Sequence, residues 1–497
     1  MTMAISMDAG RAPADRALTP EILTLAAVVV LGSITTILDA TIVNVALTTL
    51  GRDFEAPIST IQWAPTVYLL AFAGVIPLTG WASERFGAKR VWLASLAVFT
   101  LGSLLAGLAW SLGALIAFRA VQGLGGGMIM PLGQTILAQA AGPQRMGRVM
   151  SIVGVPMLLA PILGPVVGGA IVGAASWRWI FFVNLPVGAI ALLLAVRLLP
   201  AVPARPHERL DTRGLVLLSG GIAMFVYGLA EVGSRGTLAD GVAVAALAAG
   251  LVLVAAFCVH ALRTSNPLVD VRLFALRGFA TAAATNLVLG IALFGVGLLV
   301  PLYFQIVRGS SPLEAGLLLI PQGVGAALAM PLAGALTDKI GARRVVAAGV
   351  VVALAGTLAY TRIGAETSYW YLAAALLLVG AGLGSTIMPS MAVAYQTLLH
   401  EAIPRATSAI NTIQRIAGSL GIALLAVVLE RAMRSELTGF GGGLEQASAL
   451  AAREPARVAP PLAHAFGTTF WVAVALTAVA FVPALFLPGR ASGREEA

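Results

Sequence analysis

The chain has 497 residues, of which 59% are hydrophobic and 11% are charged, and its mean hydropathy is +0.94. Soluble domains are about one quarter charged, so this composition excludes a water-soluble protein and leaves room for a dozen or more spans of ~20 apolar residues each. The net charge of +9 is scattered over short loops, which argues against nucleic-acid binding, and the single cysteine, Cys258, excludes an intramolecular disulfide and a cysteine-based metal site.

Apolar runs bounded by charges, turns or polar clusters predict an all-α multi-pass membrane protein with spans in a six, two and six arrangement. A polar tail without a removable signal peptide, residues 1–21, precedes an N-terminal six-helix bundle over 22–199. Its spans are predicted near 22–49, 60–82, 89–109, 112–138, 147–174 and 178–199. A basic, proline-rich linker (200–214) then leads to two further helices within 215–262, near 215–232 and 240–262.

A second linker (263–278) precedes the C-terminal six-helix bundle, which covers 279–487 and brings the predicted number of spans to fourteen. Its spans are predicted near 279–307, 314–337, 344–363, 369–397, 406–433 and 466–487. Residues 434–465 are predicted as an outer loop or short hairpin, and 488–497 as a tail. Lys and Arg are concentrated on the side of both termini and both linkers, so the positive-inside rule predicts that these segments are cytoplasmic.

One stretch of the first bundle recurs in the second. IPLTGWASERFGAKRV (76–91) aligns without gaps with MPLAGALTDKIGARRV (330–345), and seven of the sixteen positions are identical. A weaker match joins GLGGGMIMP (123–131) to GLGSTIMP (382–389). Two homologous bundles are therefore predicted. Such repeats place a substrate near the bilayer midplane between the halves and let the halves rock in alternating access.

The first copy of this repeat places a charge cluster in the loop between the second and third spans, with glycines that allow a turn and a close approach. Its residues are Gly80, Glu84, Arg85, Gly87, Lys89 and Arg90, and the second copy supplies Asp338, Lys339, Gly341 and Arg343. Because both copies keep the acidic position, the cluster is predicted to do more than set the topology.

The fourth and fifth spans carry polar and small residues. In the fourth, Arg119, Gln122, Gly123 and Gly126 follow an i, i+3, i+4, i+7 pattern and share one helix face. An arginine within a membrane is costly and marks a functional site. The fifth span is predicted to present a small-residue face for close helix packing and to bend at its prolines. The residues of this motif are Pro161, Gly164, Pro165, Gly168 and Gly169.

Together these motifs resemble the major facilitator superfamily. GWASERFGAKR is similar to the loop motif GxLADRxGRK, with Glu84 in place of the usual aspartate and Ala88 in place of the first basic residue. FRAVQGLGGGMIMP resembles the RxxQG motif, and APILGPVVGG resembles the motif that separates proton-coupled exporters from importers. ILDATIVNVAL (37–47) and IQWAPTVYLLAFA (61–73) are similar to the 14-spanner EmrB/QacA drug:proton antiporters. The resemblance covers nearly the whole chain.

This resemblance implies two six-helix bundles with two extra central helices, in a bacterial cytoplasmic (inner) membrane. It implies a non-enzymatic exporter that exchanges amphipathic small molecules for protons and is driven by the proton gradient without a cofactor. The loop cluster would be a latch that holds the outward-facing state. The expected partners are substrates, protons and the lipid bilayer, and the resemblance also allows a periplasmic adaptor (a membrane fusion protein).

The sequence bears on three alternatives to a multidrug exporter. An exporter of a specific lipid, siderophore or biosynthetic metabolite stays open, because such exporters share these motifs. The fifth-span motif argues against an importer. The spans contain no second catalytic acid, metal cluster or Ser/His pair, which argues against an intramembrane enzyme.

Asp39 is the one carboxylate that the sequence places deep within a span, and Arg119 falls in the same outer half of the bundle. Burial favours the protonated form of a carboxyl group and a nearby guanidinium favours the ionised form, so a rocking motion that changes their separation can load and release a proton. We therefore predict Asp39 and Arg119 as the proton-coupling pair. One carboxylate offsets one charge, which predicts a preference for monocationic or neutral compounds. The candidate substrate cavity comprises Asn44, Trp63, Tyr68, Gln122 and Arg415.

Overall fold

The computed structural model describes residues 19–142, 145–201, 204–205, 208–235, 241–396, 398–437 and 444–489, and every regular element in these ranges is helical. The N-terminal half contains α1 (Pro20–Asp53), α2 (Ile58–Ile61), α3 (Trp63–Val75), α4 (Leu78–Phe86), α5 (Ala88–Gly107), α6 (Leu112–Ala141), α7 (Met146–Ala174), α8 (Trp179–Phe182) and α9 (Asn184–Leu198). Two helices follow in the middle of the chain, α10 (Thr212–Arg235) and α11 (Gly241–Arg263).

The C-terminal half contains α12 (Arg277–Leu302), α13 (Pro312–Leu318), α14 (Ile320–Ile340), α15 (Ala342–Ala359), α16 (Tyr369–Gly384), α17 (Ile387–Gln396), α18 (Ile403–Glu436), α19 (Leu444–Arg453), α20 (Pro455–Val479) and α21 (Phe481–Leu485). Short 3-10 turns occupy Val271–Ala275, Tyr360–Arg362 and His400–Ala402, and a π-helical turn, Tyr303–Val307, extends α12.

Local sequence signals explain where several of these helices begin. The Thr19 hydroxyl accepts a hydrogen bond from the Ile22 N–H, and Pro20 occupies the first helical position of α1. Ser111 caps α6 in the same way through the Ala114 N–H at 3.2 Å. These side chains satisfy N–H groups that have no partner in the first turn of a helix.

Twelve helices in the described ranges are long and apolar enough to cross a membrane. A further pair, α3 and α4, meets the same description as one span bent by 57°, and the bend lies at Pro77, which lacks a backbone N–H. The remaining predicted span coincides with α7, a helix of 29 residues with several side chains outside the described set. The all-α multi-pass architecture is confirmed, and the number fourteen stays a prediction.

The segment 434–465, predicted as an outer loop or short hairpin, is helical over most of its described residues. α18 continues to Glu436, α19 occupies Leu444–Arg453, and α20 begins at Pro455, well before the predicted start at 466. The alanine-rich sequence explains the difference, because alanine is the strongest helix former. A proline at the first helical position is compatible with a helix, so Pro455 marks the start of α20.

The two halves are built alike. In the first, α1 packs on α6, α7 and α9, and α6 packs on α3 and α5. In the second, α12 packs in the same way on α17, α18 and α20, and α16 packs on α14 and α15. The turns that end α4 and α14 also match: Gly87 and Gly341 both have a φ of +87°, in the left-handed region that favours glycine. The repeat seen in the sequence is thus a repeat of structure.

The extra helix α10 lies against both halves. It packs on its neighbour α11, on α3 of the first bundle and on α18 of the second. Trp63 of α3 stacks on Tyr227 of α10 with ring centroids 6.0 Å apart, and Leu229 and Val232 of α10 join a buried apolar cluster with Ala423 of α18. α10 therefore bridges the two bundles along one side of the molecule.

Asp211 fixes the start of α10. Its carboxylate accepts hydrogen bonds from the Gly214 N–H at 2.8 Å and the Leu268 N–H at 3.3 Å, and lies 2.8 Å from His260 Nε2 of α11. Burial acts to raise the pKa of Asp211, but these hydrogen bonds outweigh it and the pKa is lowered. The ionised carboxylate thus joins α10, α11 and the segment before α12.

The bundles meet tightly at one end, called here the linker face, which carries the Gly87 and Gly341 turns and the linker residues Arg205 and Glu208. Near this face every residue of α18 from 406 to 412 is buried, as is every residue of α17 from 387 to 395. The next four residues of α18, 413 to 416, are all partly exposed. The close packing around α18 therefore ends about one third of the way along this helix.

Candidate functional site

A buried polar network joins four helices around Asp39. Arg119 Nη1 of α6 donates to Asp39 Oδ2 of α1, while Asp39 Oδ1 accepts from Gln122 Nε2 at 2.8 Å and from Asn184 Nδ2 of α9 at 3.0 Å. Asn184 also donates to Ser103 Oγ of α5 at 3.1 Å. Asp39 and Arg119 are completely buried. The side-chain amides of Gln122 and Asn184 thus both donate to the charge pair, and Ser103 holds Asn184 in place.

The Arg119 guanidinium has additional partners in the same bundle. Nη1 also donates to Gln122 Oε1 at 2.8 Å, Nε reaches the Ala64 carbonyl at 3.4 Å, and Cζ lies 4.0 Å from the centroid of the Tyr68 ring. Tyr68 in turn donates its hydroxyl proton to the Thr36 carbonyl at 3.0 Å. Arg119 Nη2 is buried and has no hydrogen-bond partner among the described atoms. One corner of the network is therefore unsatisfied in this conformation.

Glycines allow these helices to approach closely enough for the network to form. A Cβ on Gly102 of α5 would lie 2.8 Å from the Cα of Gln122, and one on Gly123 would lie 2.5 Å from the Tyr68 carbonyl oxygen. Side chains at these positions would push α5 and α3 away from α6. The predicted face of the fourth span is thus both a polar site and a close-packing surface.

The network changes the expectation of a cation site at Asp39. Both carboxylate oxygens are occupied, one by Arg119 and the other by the amides of Gln122 and Asn184. The predicted approach of Asp39 and Arg119 is present, and their role in coupling stays a prediction. A substrate cation gains no free carboxylate here, because the negative charge is already neutralised.

The fifth-span motif packs α7 against α1 next to this network. A Cβ on Gly164 would overlap Thr41 Oγ1 and lie 2.9 Å from Thr41 Cβ, and one on Gly168 would lie 2.8 Å from Ile42 Cγ1. Gly169 was expected on the same face, but a Cβ there would meet nothing within 4 Å. Residues 164 and 168 are one helical turn apart, whereas 169 is rotated away from α1. The side chains of Pro161 and Pro165 lie outside the described set, and α7 runs as one helix through both positions.

The loop cluster forms an ion-pair network across the linker face. Arg405 of α18 donates from Nε and Nη2 to both carboxylate oxygens of Glu84, at 2.9–3.2 Å, and from Nη2 to Glu208 Oε1 of the linker at 2.5 Å. The Glu84 carbonyl accepts from the Arg205 N–H at 2.7 Å. A Cβ on Gly80 would lie 3.1 Å from the Cα of Arg405, so glycine allows this close crossing. Glu84 therefore joins the first bundle, the linker and the second bundle.

The other residues of the two loop copies have different surroundings. Lys89 Nζ donates to the Val196 and Leu199 carbonyls at 2.8 and 2.6 Å, at the end of α9. Arg85 is half-buried and Arg90 is exposed. Lys339 and Arg343 of the second copy line a shallow cavity on the linker face together with Arg344 and Gly489. The side chain of Asp338 lies outside the described set.

The candidate cavity residues do not form one group. Tyr68 and Gln122 belong to the buried network, Asn44 is exposed on α1, and Trp63, 41% exposed, stacks on α10. Arg415 projects from α18 to the first bundle, where its Cζ lies 4.2 Å from the centroid of the Phe72 ring. Only Arg415 reaches across the gap between the bundles.

Sequence reasoning missed four residues of these networks: Ser103, Asn184, Glu208 and Arg405. Asn184 and Ser103 were detectable as polar residues within apolar runs. Arg405 is 321 positions from Glu84 along the chain, and nothing in the local sequence relates the two.

The sequence matches the profile of the Major Facilitator Superfamily over residues 29–422. It is 41% identical over 496 residues to the "Multidrug resistance protein B homolog" of Mycobacterium tuberculosis, covering 96% of this chain and 92% of that protein. It is 32% identical over 391 residues to the "Multidrug export protein EmrB" of Haemophilus influenzae, covering 78% and 76% of the two chains.

The fold also resembles a solved structure. The proton:xylose symporter XylE bound to 6-bromo-6-deoxy-D-glucose superimposes with a TM-score of 0.63 at 16% identity, covering 94% of this chain and 96% of that one. At this identity the likeness concerns the fold alone. With the profile match, the relatives and the two-bundle architecture taken together, the chain belongs to the major facilitator superfamily of membrane transporters.

Proposed function

We propose that the protein is a secondary active multidrug exporter of a bacterial cytoplasmic (inner) membrane, which moves amphipathic small molecules outward in exchange for protons. The observation that carries the proposal is the buried Asp39–Arg119 pair within a two-bundle transporter. The printed names of the relatives, a multidrug resistance protein and a multidrug export protein, support the same function.

The geometry suggests how a proton is exchanged. In the structure the Asp39 carboxylate accepts hydrogen bonds from Arg119, Gln122 and Asn184, and the positive charge of Arg119 compensates its negative charge. α1, α6 and α9 supply these groups, so a relative movement of the helices separates them. A buried carboxylate without its guanidinium is costly, and protonation removes that cost. Proton uptake and helix movement are therefore coupled at this site.

The coupling is energetically sufficient for export. One elementary charge that crosses a potential of ~100 mV releases ~2.3 kcal/mol. This free energy corresponds to roughly a fifty-fold concentration gradient of a neutral solute, since a tenfold change is 1.4 kcal/mol. One proton per substrate thus supports a useful outward gradient.

The proposal includes an orientation. We assign the linker face and both termini to the cytoplasmic side, because Lys and Arg are concentrated in the segments that the sequence places there. On that assignment the Glu84–Arg405–Glu208 network closes the cytoplasmic end, and the conformation is outward-facing. Glu84 and its partners are then the latch of this state.

The test is transport by Asp39→Asn in proteoliposomes with an imposed pH gradient. We expect uphill, pH-driven transport to be abolished, because the amide cannot bind and release the proton. The variant should still fold and carry out substrate counterflow, although the unpaired Arg119 lowers its stability. Glu454→Gln, which removes an exposed carboxylate distant from the network, is the matched control and is expected to transport normally. An Asp39→Asn protein that builds a substrate gradient from a pH gradient at near wild-type rate would remove Asp39 from the mechanism.

A further inference from the structure

We infer that Arg415 binds an anionic group of the substrate in the space between the two bundles. The inference rests on the proposed export function and names its substrate class. It starts from the face that α18 presents to the first bundle, which is made up of Arg405, Ser408, Asn411 and Arg415. These residues follow one another at intervals of three or four, so they share one side of the helix.

The residues of this face nearest the linker face all have polar partners in the first bundle. Arg405 pairs with Glu84, the Ser408 hydroxyl donates to the Ile76 carbonyl at 2.9 Å, and Asn411 Nδ2 donates to Gln134 Oε1 at 2.7 Å. Each contact lies in the half of the molecule where the bundles pack closely. A polar group on this face is thus normally paired with a polar group opposite.

Arg415 breaks this pattern. Among the described residues it has no hydrogen-bond acceptor and no carboxylate partner. Its neighbours are the face of the Phe72 ring, 4.2 Å from Cζ, and Tyr68, which interacts with it electrostatically. It lies ~18 Å along α18 from Ile403, about one third of the way along this 34-residue helix. It also belongs to the four consecutive residues, 413 to 416, at which α18 becomes partly exposed. The guanidinium therefore stands at the floor of the space that opens between the bundles.

Three acidic groups on the helices of the two bundles already have a basic partner: one inside the first bundle, one at the linker face and one near the far end of α18. Asp39 pairs with Arg119, Glu84 with Arg405, and Glu430 with Arg434. A guanidinium without an anion in the membrane interior is costly, and it offers several donors in a fixed plane that suits carboxylates, sulfonates and phosphates. The missing partner of Arg415 is therefore an anionic group, and a ligand brings it.

This assignment replaces the expectation of monocationic substrates, which depended on a free carboxylate at Asp39. It also places the ligand close to the coupling network. The ring of Phe72 lies 5.8 Å from that of Tyr68, and Tyr68 lies 4.0 Å from the guanidinium of Arg119. Arg415 belongs to the second bundle and the coupling network to the first. The rings of Phe72 and Tyr68 lie between an anion at Arg415 and the Asp39–Arg119 pair.

The test uses three pyrene probes that differ in charge: pyrene-1-sulfonate, pyrenemethanol and (pyrenylmethyl)trimethylammonium. Their binding to the full-length protein in lipid nanodiscs is measured by fluorescence, with empty nanodiscs subtracted. We expect the sulfonate to bind most tightly. Arg415→Gln should weaken sulfonate binding on the order of tenfold, the size of one lost hydrogen bond to a charged group, and change pyrenemethanol binding less than about twofold. Arg415→Lys should retain most of the sulfonate affinity.

Arg263→Gln, which removes an exposed arginine at the end of α11, is the matched control and should bind all three probes as the wild type does. Equal affinity of the wild type for the three probes, or no sulfonate binding, would overturn the inference. So would sulfonate binding that survives in Arg415→Gln. Should that variant fail to fold, the charge preference of the wild type and the Arg415→Lys result decide. Transport of the same probes in proteoliposomes distinguishes a failure of the proposed export function from a failure of the anion site. If sulfonate binding depends on Arg415 but no pH-driven transport occurs, the export function is refuted and the anion site is retained.

Discussion

At the scale of single residues, the Asp39–Arg119 pair is expected to tolerate few substitutions. Both side chains are completely buried, and each depends on the other for its charge compensation. Removing one partner of a buried ion pair leaves a bare charge, which is far worse than removing both. The stability of the pair is therefore a property of two residues on different helices.

We expect Arg119→Met to lower the free energy of unfolding by about 3–5 kcal/mol, because it leaves the Asp39 carboxylate buried without its guanidinium. The double variant Asp39→Asn/Arg119→Met should be more stable than Arg119→Met alone. Denaturant titrations of the purified proteins in one detergent measure both effects. If the two substitutions destabilise the protein additively, Asp39 and Arg119 do not depend on each other for charge compensation.

At the scale of helices, the packing of α7 on α1 holds the network in place. Gly164 and Gly168 face Thr41 and Ile42, whereas Gly169 faces open space. The three glycines look equivalent in sequence and are not equivalent in the fold. Substitution by alanine therefore distinguishes a packing glycine from an incidental one.

Gly164→Ala is expected to cost about 1–3 kcal/mol, since the new methyl group overlaps Thr41 and α1 must move. Gly169→Ala is the control and should change stability by less than about 0.5 kcal/mol, as for a substitution that meets no neighbour. Thermal unfolding and pH-driven transport report the two effects. Comparable loss in both variants would contradict the assigned packing face.

At the scale of the whole molecule, Arg405, Glu84 and Glu208 connect the bundles and the linker on one face. The contacts lie far from the Asp39 network and from Arg415. These three side chains thus influence the equilibrium between conformations. Substituting one of them is expected to change the rate of the transport cycle more than the affinity for the ligand.

Glu84→Lys places a cation beside Arg405, so the closed linker face is expected to lose population and the maximal transport rate to fall. Affinity for the pyrene probes should change less than about twofold. Spin-label distances across the linker face measure the first effect and transport at saturating substrate the second. Arg90→Glu is the matched control, because Arg90 lies in the same loop and is exposed. The same outcome is expected for charge reversal at Asp338. Loss of affinity with an unchanged saturating rate in Glu84→Lys would refute the latch.

The orientation is checked separately. Both termini and the linker are expected on the cytoplasmic side, so an alkaline phosphatase fused after residue 205 should be inactive and one fused after residue 450 active. The reverse activity pattern would show the opposite orientation in the membrane, and the described conformation would then be inward-facing.

Sequence by itself determined the features that depend on local order along the chain. Long apolar runs located the spans, a repeated charged loop identified two related halves, and Gly87 and Gly341 marked turns that only glycine adopts easily. Arg119 and Asp39 stood out because a charge in an apolar run is costly and therefore conspicuous. The alanine-rich stretch after α18, predicted as a loop or short hairpin, is helical over 444–453 and from 455 onward.

Only the tertiary structure decided which of these groups meet. Glu84 finds Arg405 and Glu208 from distant parts of the chain, and Asp39 turns out to be fully occupied by Arg119, Gln122 and Asn184. Charge compensation depends on distances of a few ångströms between helices, which no spacing within one helix encodes. For the same reason the sequence offered Asp39 as the ligand for a cation, whereas in the described part of the structure Asp39 is occupied and Arg415 faces an aromatic ring without an acidic partner.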